Sequence, residues 1–457
     1  MTTRLLPKRK VPAESISIAL LSWESMYSIS VGGLASHVTE LAAALSHRGH
    51  EVHLFTRMGP GQSRYDCIAG VHYHRCPFDP KTDDFVEYVE RMGDSFVQHL
   101  NRIEQLIGPF DVIHGHDWLS THALRRIKNE FNRLIVFTIH STEYGRCGNQ
   151  LHDGDSTRVR HLEWEGAYVS DRIICVSETL RQEVRGLYAV PLDKMTVIYN
   201  GVNPRRFEAS INIESVRQRY EIGPNDPTVL FAGRLTRQKG PDLLVEAIPD
   251  ILSGHPQTKF IFAGDGDMRR SLEDRTRNLG ITEATRFVGH HNGLELISLF
   301  KCVDAVCVPS RNEPFGIVIL EAWSAGKPVI VTRSGGPAEF VRHQDTGILV
   351  SVDRSEIGLG VREVLGQMDH GQRIGREGRL LVESQFSWGT IAAETERIYL
   401  NRYVETASKG DPTTQESSDV ATVLRAGKPA TLPPTAKTNA RDRPERSQGM
   451  TEIISQA

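Results

Sequence analysis

The chain has 457 residues, more than the roughly 250–300 at which a single core stops growing, so two or more domains are expected. Its 39% hydrophobic content supplies large cores, and a formal net charge of −3 excludes the global basic field that a nucleic-acid or anionic-membrane partner would favour. Six scattered cysteines without a Cys-x-x-Cys pair fit free thiols in a reducing compartment, so a cytoplasmic protein is expected.

Residues 1–14 read as a basic extension. The apolar stretch that follows, "ISIALLSW", is short and lacks a small-residue cleavage pattern, so it predicts a first strand rather than a leader. No apolar run approaches the ~20 residues of a membrane span. Short β-branched runs then alternate with longer helical patterns: "SISIALLSW", "EVHLFTR", "DVIHGH", "LIVFTIH", "RIICVS" and "MTVIYNG", then, after "NGVNPRRF", "TVLFAGR", "KFIFAGDG", "TRFVGH", "DAVCVPS", "PVIVTRS" and "GILVSV". Runs apolar on both faces and separated by helices indicate parallel sheets covered on both sides. The expected fold class is therefore α/β, with two doubly wound, Rossmann-like domains at 15–205 and 206–385, joined near Asn203 to Glu208. Residues 386–405, within "FSWGTIAAETERIYLNRYV", predict a helix that crosses back, and 406–457, rich in Pro, Thr, Ser and charge, read as a disordered tail.

In open α/β sheets the informative residues follow strands, where helix N-termini present positive ends to anions. Gly32 and Gly33 follow the first strand and open a helix, as a phosphate approach or a tight turn would require. Arg234 and Lys239 in "FAGRLTRQKG" offer a planar fork and a compact charge near a strand end, or simply solvated surface charge. In "EPFGIVILE", Glu313 lies in a loop, Gly316 opens a helix and Glu321 sits in its second turn. With seven residues between them, the two acids cannot share one atom, but they can grip two ends of one long ligand. A buried Glu on this apolar helix needs a partner, and a ribose diol would serve.

The order GGL, "HGHDW", "TIH", "VSE", "YNGV", "GRLTRQKG", "GDG", "VGH", "EPFGIVILE", "SGGPAE" and "FSW" resembles the retaining, nucleotide-sugar-dependent glycosyltransferases of the GT-B fold, nearest their glycogen synthase-like and family-4 groups, over about residues 15 to 405. The resemblance implies that Glu313 lies at the donor sugar and Glu321 at the nucleotide ribose. It sets the diphosphate against Phe315, Gly316 and Ile317, with Arg234, Lys239 and the Gly32-Gly33 loop around it. His140 matches the family histidine that contacts the donor sugar; Asp117 in "HGHDW" resembles the acidic position of the acceptor cleft; Glu24 in "SWES" and Arg146 in "TIHSTEYGR" resemble the acceptor side of the glycogen synthase-like branch. The implied substrates are UDP- or ADP-glucose and a glucan, sugar or sugar-phosphate acceptor, with no cofactor and no metal. A metal trio of His114, His116 and Asp117 competes with this reading but has no evident fourth ligand. Asp265 to Asp267, "DGD", is similar to the metal-binding triplet of the other glycosyltransferase fold, yet it forms a turn after a strand. Glycogen and starch synthases usually carry Lys two positions before Gly-Gly, where this chain has Ser30. A nucleotide-sugar 2-epimerase and a catalytically silent sugar-binding protein are the rival readings.

Overall fold

In the computed structural model, which describes residues 15–131 and 133–407, the apolar runs form two sheets. The expectations for residues 1–14 and for the tail beyond residue 407 lie outside the described residues. The first sheet contains β1 (Ser17–Leu21), β2 (Glu51–Arg57), β3 (Tyr65–Ile68), β4 (Val71–Cys76), β5 (Val112–His116), β6 (Leu134–Ile139), β7 (Arg172–Cys175) and β8 (Met195–Val197), in the order β3-β4-β2-β1-β5-β6-β7-β8. The second contains β9 (Thr228–Ala232), β10 (Lys259–Ala263), β11 (Thr285–Gly289), β12 (Ala305–Val308), β13 (Val329–Thr332) and β14 (Ile348–Val350), in the order β11-β10-β9-β12-β13-β14. Central strands such as β12 and β13 are buried along their whole length, which explains their nearly unbroken apolar character: helices cover both faces.

One element was not anticipated by the strand pattern. β3 and β4 form an antiparallel hairpin at the sheet edge, so the first sheet is mixed rather than purely parallel. Its two-residue turn, Ala69-Gly70, has φ of 52° and 80°, the left-handed pair that matches the twist of a hairpin. The strands are rich in His, Tyr and Asp, with β3 half solvated, and they lack the apolar run that marks the buried strands.

The chain leaves the first sheet after β8 and passes through a 3-10 turn, Pro204–Glu208. It returns at Ser387, where Val202 and Ser387 form a bridge and the Val202 N–H donates to the Phe386 carbonyl at 2.9 Å. The helix Trp388–Ala407 then begins. Tyr399 places its hydroxyl 2.7 Å from His114 Nδ1 on β5, while Glu396 accepts from Arg48 Nε at 2.9 Å and lies 2.8 Å from His50 Nε2. This part of the helix therefore packs on the first sheet's layer. Among the described residues, no helix is long and apolar enough to cross a membrane.

Candidate active site

Strand order reverses direction between β1 and β5 in the first sheet and between β9 and β12 in the second. At such switch points adjacent loops diverge and leave a crevice. The glycine loop follows β1, Asp117 follows β5, Arg234 follows β9, and Glu313 follows β12. The parallel topology thus carries four of the expected residues to strand ends.

On the first side, Glu24 is buried and its Oε2 accepts the N–H groups of Val31 at 2.5 Å and Gly32 at 3.0 Å. Burial raises its carboxyl above the usual range, against those two N–H groups and Arg57. Glu24 therefore shapes the glycine loop that leads into the helix Gly33–His47. Asp117 has φ of 55°, unusual for a residue with a side chain. Its Oδ1 accepts the His140 N–H at 2.7 Å, and burial pushes its carboxyl up to about 6, opposed by Arg146, the His140 and Ser141 N–H groups and Arg234. His140 stands at the end of β6 beside His116, with Nε2 to Nδ1 at 3.2 Å, and its ring meets that of His37 at 4.5 Å. Burial lowers His140 to about 3, so it is a neutral imidazole at physiological pH. His114 commits both ring nitrogens, to Tyr399 and to Thr138 Oγ1 at 2.7 Å each. The trio His114, His116 and Asp117 therefore does not assemble. His37, His116 and His140 instead bring ligand atoms within 4.8 Å of one another.

On the second side, Lys239 Nζ donates to both oxygens of Glu313, at 2.8 and 2.9 Å, and Ser310 Oγ adds a third bond at 2.8 Å. A carboxylate offers about four lone-pair positions, so Glu313 is rigidly oriented with about one position left for a further donor. Two glycines permit this. A Cβ at Gly335, whose φ is 86°, would fall 2.1 Å from the Glu313 carbonyl oxygen; Gly316, with φ of 94°, holds the left-handed position that starts the helix Ile317–Ser324. Phe315 is buried against Tyr199 and Phe340. It is therefore a packing residue that fixes the turn. Glu321 is half-buried on the same helix in a groove with Arg206, Asn203, Ser36 and Leu296. Burial pushes its carboxyl up to about 7, with only the Arg206 charge opposing. Arg234 reaches Gln238 Oε1 at 3.3 Å and pairs with no carboxylate among the described residues. Desolvation lowers its guanidinium, as does Arg146, against Glu313, Glu24 and Asp267. A guanidinium stays charged regardless, so Arg234 is an exposed cation without an ion pair of its own among the described residues, within the field of Glu313, Glu24 and Asp267.

The two sides touch at defined points. A Cβ on Gly33 would lie 3.4 Å from Ile317 Cδ1. Glu339, in the "SGGPAE" stretch, accepts the N–H groups of Glu178 and Thr179 at 2.9 and 2.7 Å, capping the helix Glu178–Tyr188 that follows the "VSE" stretch. Asn312 Nδ2 donates to Asn149 Oδ1 at 2.6 Å.

Arg146, expected at the acceptor, is instead locked in a buried network: it donates to Glu143 at 3.1 Å, to Glu163 at 2.5 Å and to Ser141 Oγ at 2.8 Å. Two carboxylates already satisfy its charge. Sequence reasoning passed over Ser310, His37 and the capping role of Glu339. His37 lies on the buried face of its helix and gives no local signal; "SGGPAE" was visible as a motif, but its partner is 160 residues away.

Comparison with known proteins agrees with this arrangement. Residues 31–206 match the family described as Glycosyltransferase Family 4, and residues 212–380 match Glycosyl transferases group 1. The chain is 38% identical to an uncharacterized glycosyltransferase of Methanocaldococcus jannaschii, over 84% of this chain and 98% of that one. It is 32% identical to the glycogen synthase of Mycobacterium tuberculosis, over 84% and 94%. Sucrose-phosphate synthase from Thermosynechococcus elongatus superposes with a TM-score of 0.74 at 25% identity, covering 85% of this chain and 100% of that one. With two doubly wound domains facing across a cleft, the chain belongs to the GT-B glycosyltransferases of the family-4, glycogen synthase-like group.

Proposed function

We propose that this glycosyltransferase moves a hexose, glucose in the first instance, from UDP- or ADP-glucose to a glucan or sugar acceptor with retention of anomeric configuration and without a cofactor. The observation that carries the proposal is Arg234, a cation with no carboxylate ion pair among the described residues, on the same loop as Lys239, whose partner Glu313 lies just before the helix that starts on Gly316. In the reaction the bond between the anomeric carbon and the phosphate oxygen breaks, and its electron pair leaves with the diphosphate. The acceptor oxygen bonds to the same face of the sugar, and its proton passes to the departing phosphate. The main catalytic task is to stabilise that diphosphate with charge and dipoles already in place. Arg234 and the N–H groups at Ile317 suit this task; Glu313, held by Lys239 and Ser310, suits a sugar hydroxyl; Glu321 suits the ribose diol. Asp117, which feels the Arg234 charge, and neutral His140 lie at strand ends of the other sheet. The names of two relatives, a glycogen synthase and a sucrose-phosphate synthase, support a glucosyl donor, and six free cysteines support a cytoplasmic setting.

The test is incubation with UDP-glucose and ADP-glucose, with and without glycogen or glucose 1-phosphate, reading product configuration by NMR. An α-linked product from either donor supports the proposal. A β-linked product overturns retention, an epimerised donor shows a 2-epimerase, and an absence of turnover with intact nucleotide binding shows a silent sugar-binding protein.

A further inference from the structure

The edge of the first sheet carries another group of ligating side chains. Glu51 and His53 lie two residues apart on β2 and so share one face. Parallel register sets His53 beside His72 on β4. Glu51 begins β2, whereas the cleft residues follow the carboxyl ends of their strands, so this group sits at the opposite end of the sheet from the active site. The ligand atoms of Glu51, His53 and His72 all lie within 4.8 Å of one another; the two imidazoles stack with centroids 4.5 Å and planes 21° apart, so the half-exposed His72 ring tilts toward the buried His53 ring when both ligate one ion.

Neighbouring groups hold both rings. His53 Nδ1 lies 2.9 Å from His74 Nε2 while its Nε2 turns to Glu51 Oε1 at 3.3 Å, and the Tyr65 hydroxyl lies 2.8 Å from His72 Nδ1. Each histidine thus has its δ nitrogen fixed by a partner outside the trio, the arrangement that orients imidazoles for metal binding through the ε nitrogen. His53 has a fully buried side chain, but that of Glu51 is 40% exposed, which gives an ion a path in from solvent. Two imidazoles and one carboxylate are a nitrogen-and-oxygen set suited to zinc, with water completing four-coordination.

We propose that Glu51, His53 and His72 bind a divalent transition metal of the zinc class, clamping β2 to β4 away from the catalytic cleft. The full-length protein, stripped with a chelator and dialysed, is titrated with Zn2+ by calorimetry and with Co2+ by visible absorption. The expected result is one equivalent per chain, a tetrahedral Co2+ spectrum and a raised melting temperature. Binding should be lost in Glu51→Gln and His72→Gln, with metal-free melting and turnover unchanged. Tyr65→Phe keeps all three ligands and should weaken Zn2+ binding about tenfold, the usual effect of removing an outer-shell partner. The cleft trio of His37, His116 and His140 is the control. If the Zn2+ equivalent survives Glu51→Gln and His72→Gln but disappears in His37→Gln, the metal belongs to the cleft and the proposal is overturned. Failure of the wild-type protein to bind Zn2+ overturns it equally.

Discussion

Arg234 and Lys239 share one loop but do different work. Lys239 neutralises a carboxylate that is 5% exposed, whereas Arg234 has no carboxylate partner among the described residues. Arg234→Ala should therefore cost transition-state stabilisation of about 2–4 kcal/mol without lowering the melting temperature. Lys239→Ala should lower both turnover and melting temperature, because it leaves Glu313 buried and unpaired. Steady-state kinetics and thermal melts on the two variants and their double mutant check this, and the double should lose less activity than the sum. Both residues were legible in the sequence, where both are expected at the diphosphate; the ion pair of Lys239 with Glu313 was not, because it spans 74 residues and is created by the adjacency of β9 and β12. Glu321 makes a pH-dependent prediction. A carboxyl raised to about 7 when folded binds its proton more tightly than in the unfolded chain, so stability falls as pH rises from the unfolded value toward about 7. Glu321→Gln removes that penalty. Relative to wild type, its melting temperature should rise between about pH 5 and 8, by the equivalent of about 1–3 kcal/mol, while nucleoside diphosphate binding weakens. A pH-independent difference between the two proteins would contradict the burial argument.

Among the elements, the helix Ile317–Ser324 depends most on a single backbone conformation. Gly316 has φ of 94°, and a Cβ there would lie 2.9 Å from Ile319 Cδ1 and 3.2 Å from Glu313 Cγ. Gly316→Ala should cost at least the 1–2 kcal/mol, roughly, of a left-handed residue, read as a lower urea midpoint, and should reduce turnover further by displacing Glu313. This helix start was legible because a glycine between an apolar loop and an apolar helix has few other uses. The buried parallel strands were legible for a related reason, since burial on both faces leaves a continuous apolar run. The β3–β4 hairpin escaped because its strands carry His, Tyr and Asp and turn on Ala-Gly, so both the pattern and the turn chemistry fall outside the usual signals. The first sheet's loops were only partly legible: Glu24 was placed at the acceptor, but its carboxylate bonds the backbone of the glycine loop, a contact that depends on how the loop after β1 folds back.

For the whole molecule, the residues proposed to hold the donor come from both sheets; the rim contacts between sheets are polar, Glu339 to Glu178 and Thr179 and Asn312 to Asn149, while the apolar contact gathers where Tyr199 packs on Phe315, Phe340 and Phe386, beside the Val202–Ser387 bridge. Such contacts permit hinge motion. Saturating nucleoside diphosphate should contract the protein about Asn203 to Glu208, read as a smaller radius of gyration in solution scattering, and so exclude water from the activated sugar. An unchanged radius at saturation would mean that the cleft is already assembled. The bridge between Val202 and Ser387 has one more consequence. The chain leaves the first sheet's layer and comes back to it at adjacent points, so everything from 203 to 386 is a cassette inserted into a host that closes on itself. Of the residues proposed above, Arg234, Glu313 and Glu321 at the donor lie in the cassette, and Asp117 at the acceptor lies in the host. Exchanging the cassette for that of a relative, with Val202 and Ser387 as fixed seams, should transfer donor-nucleotide preference while leaving acceptor choice unchanged, so each half can diverge without the other.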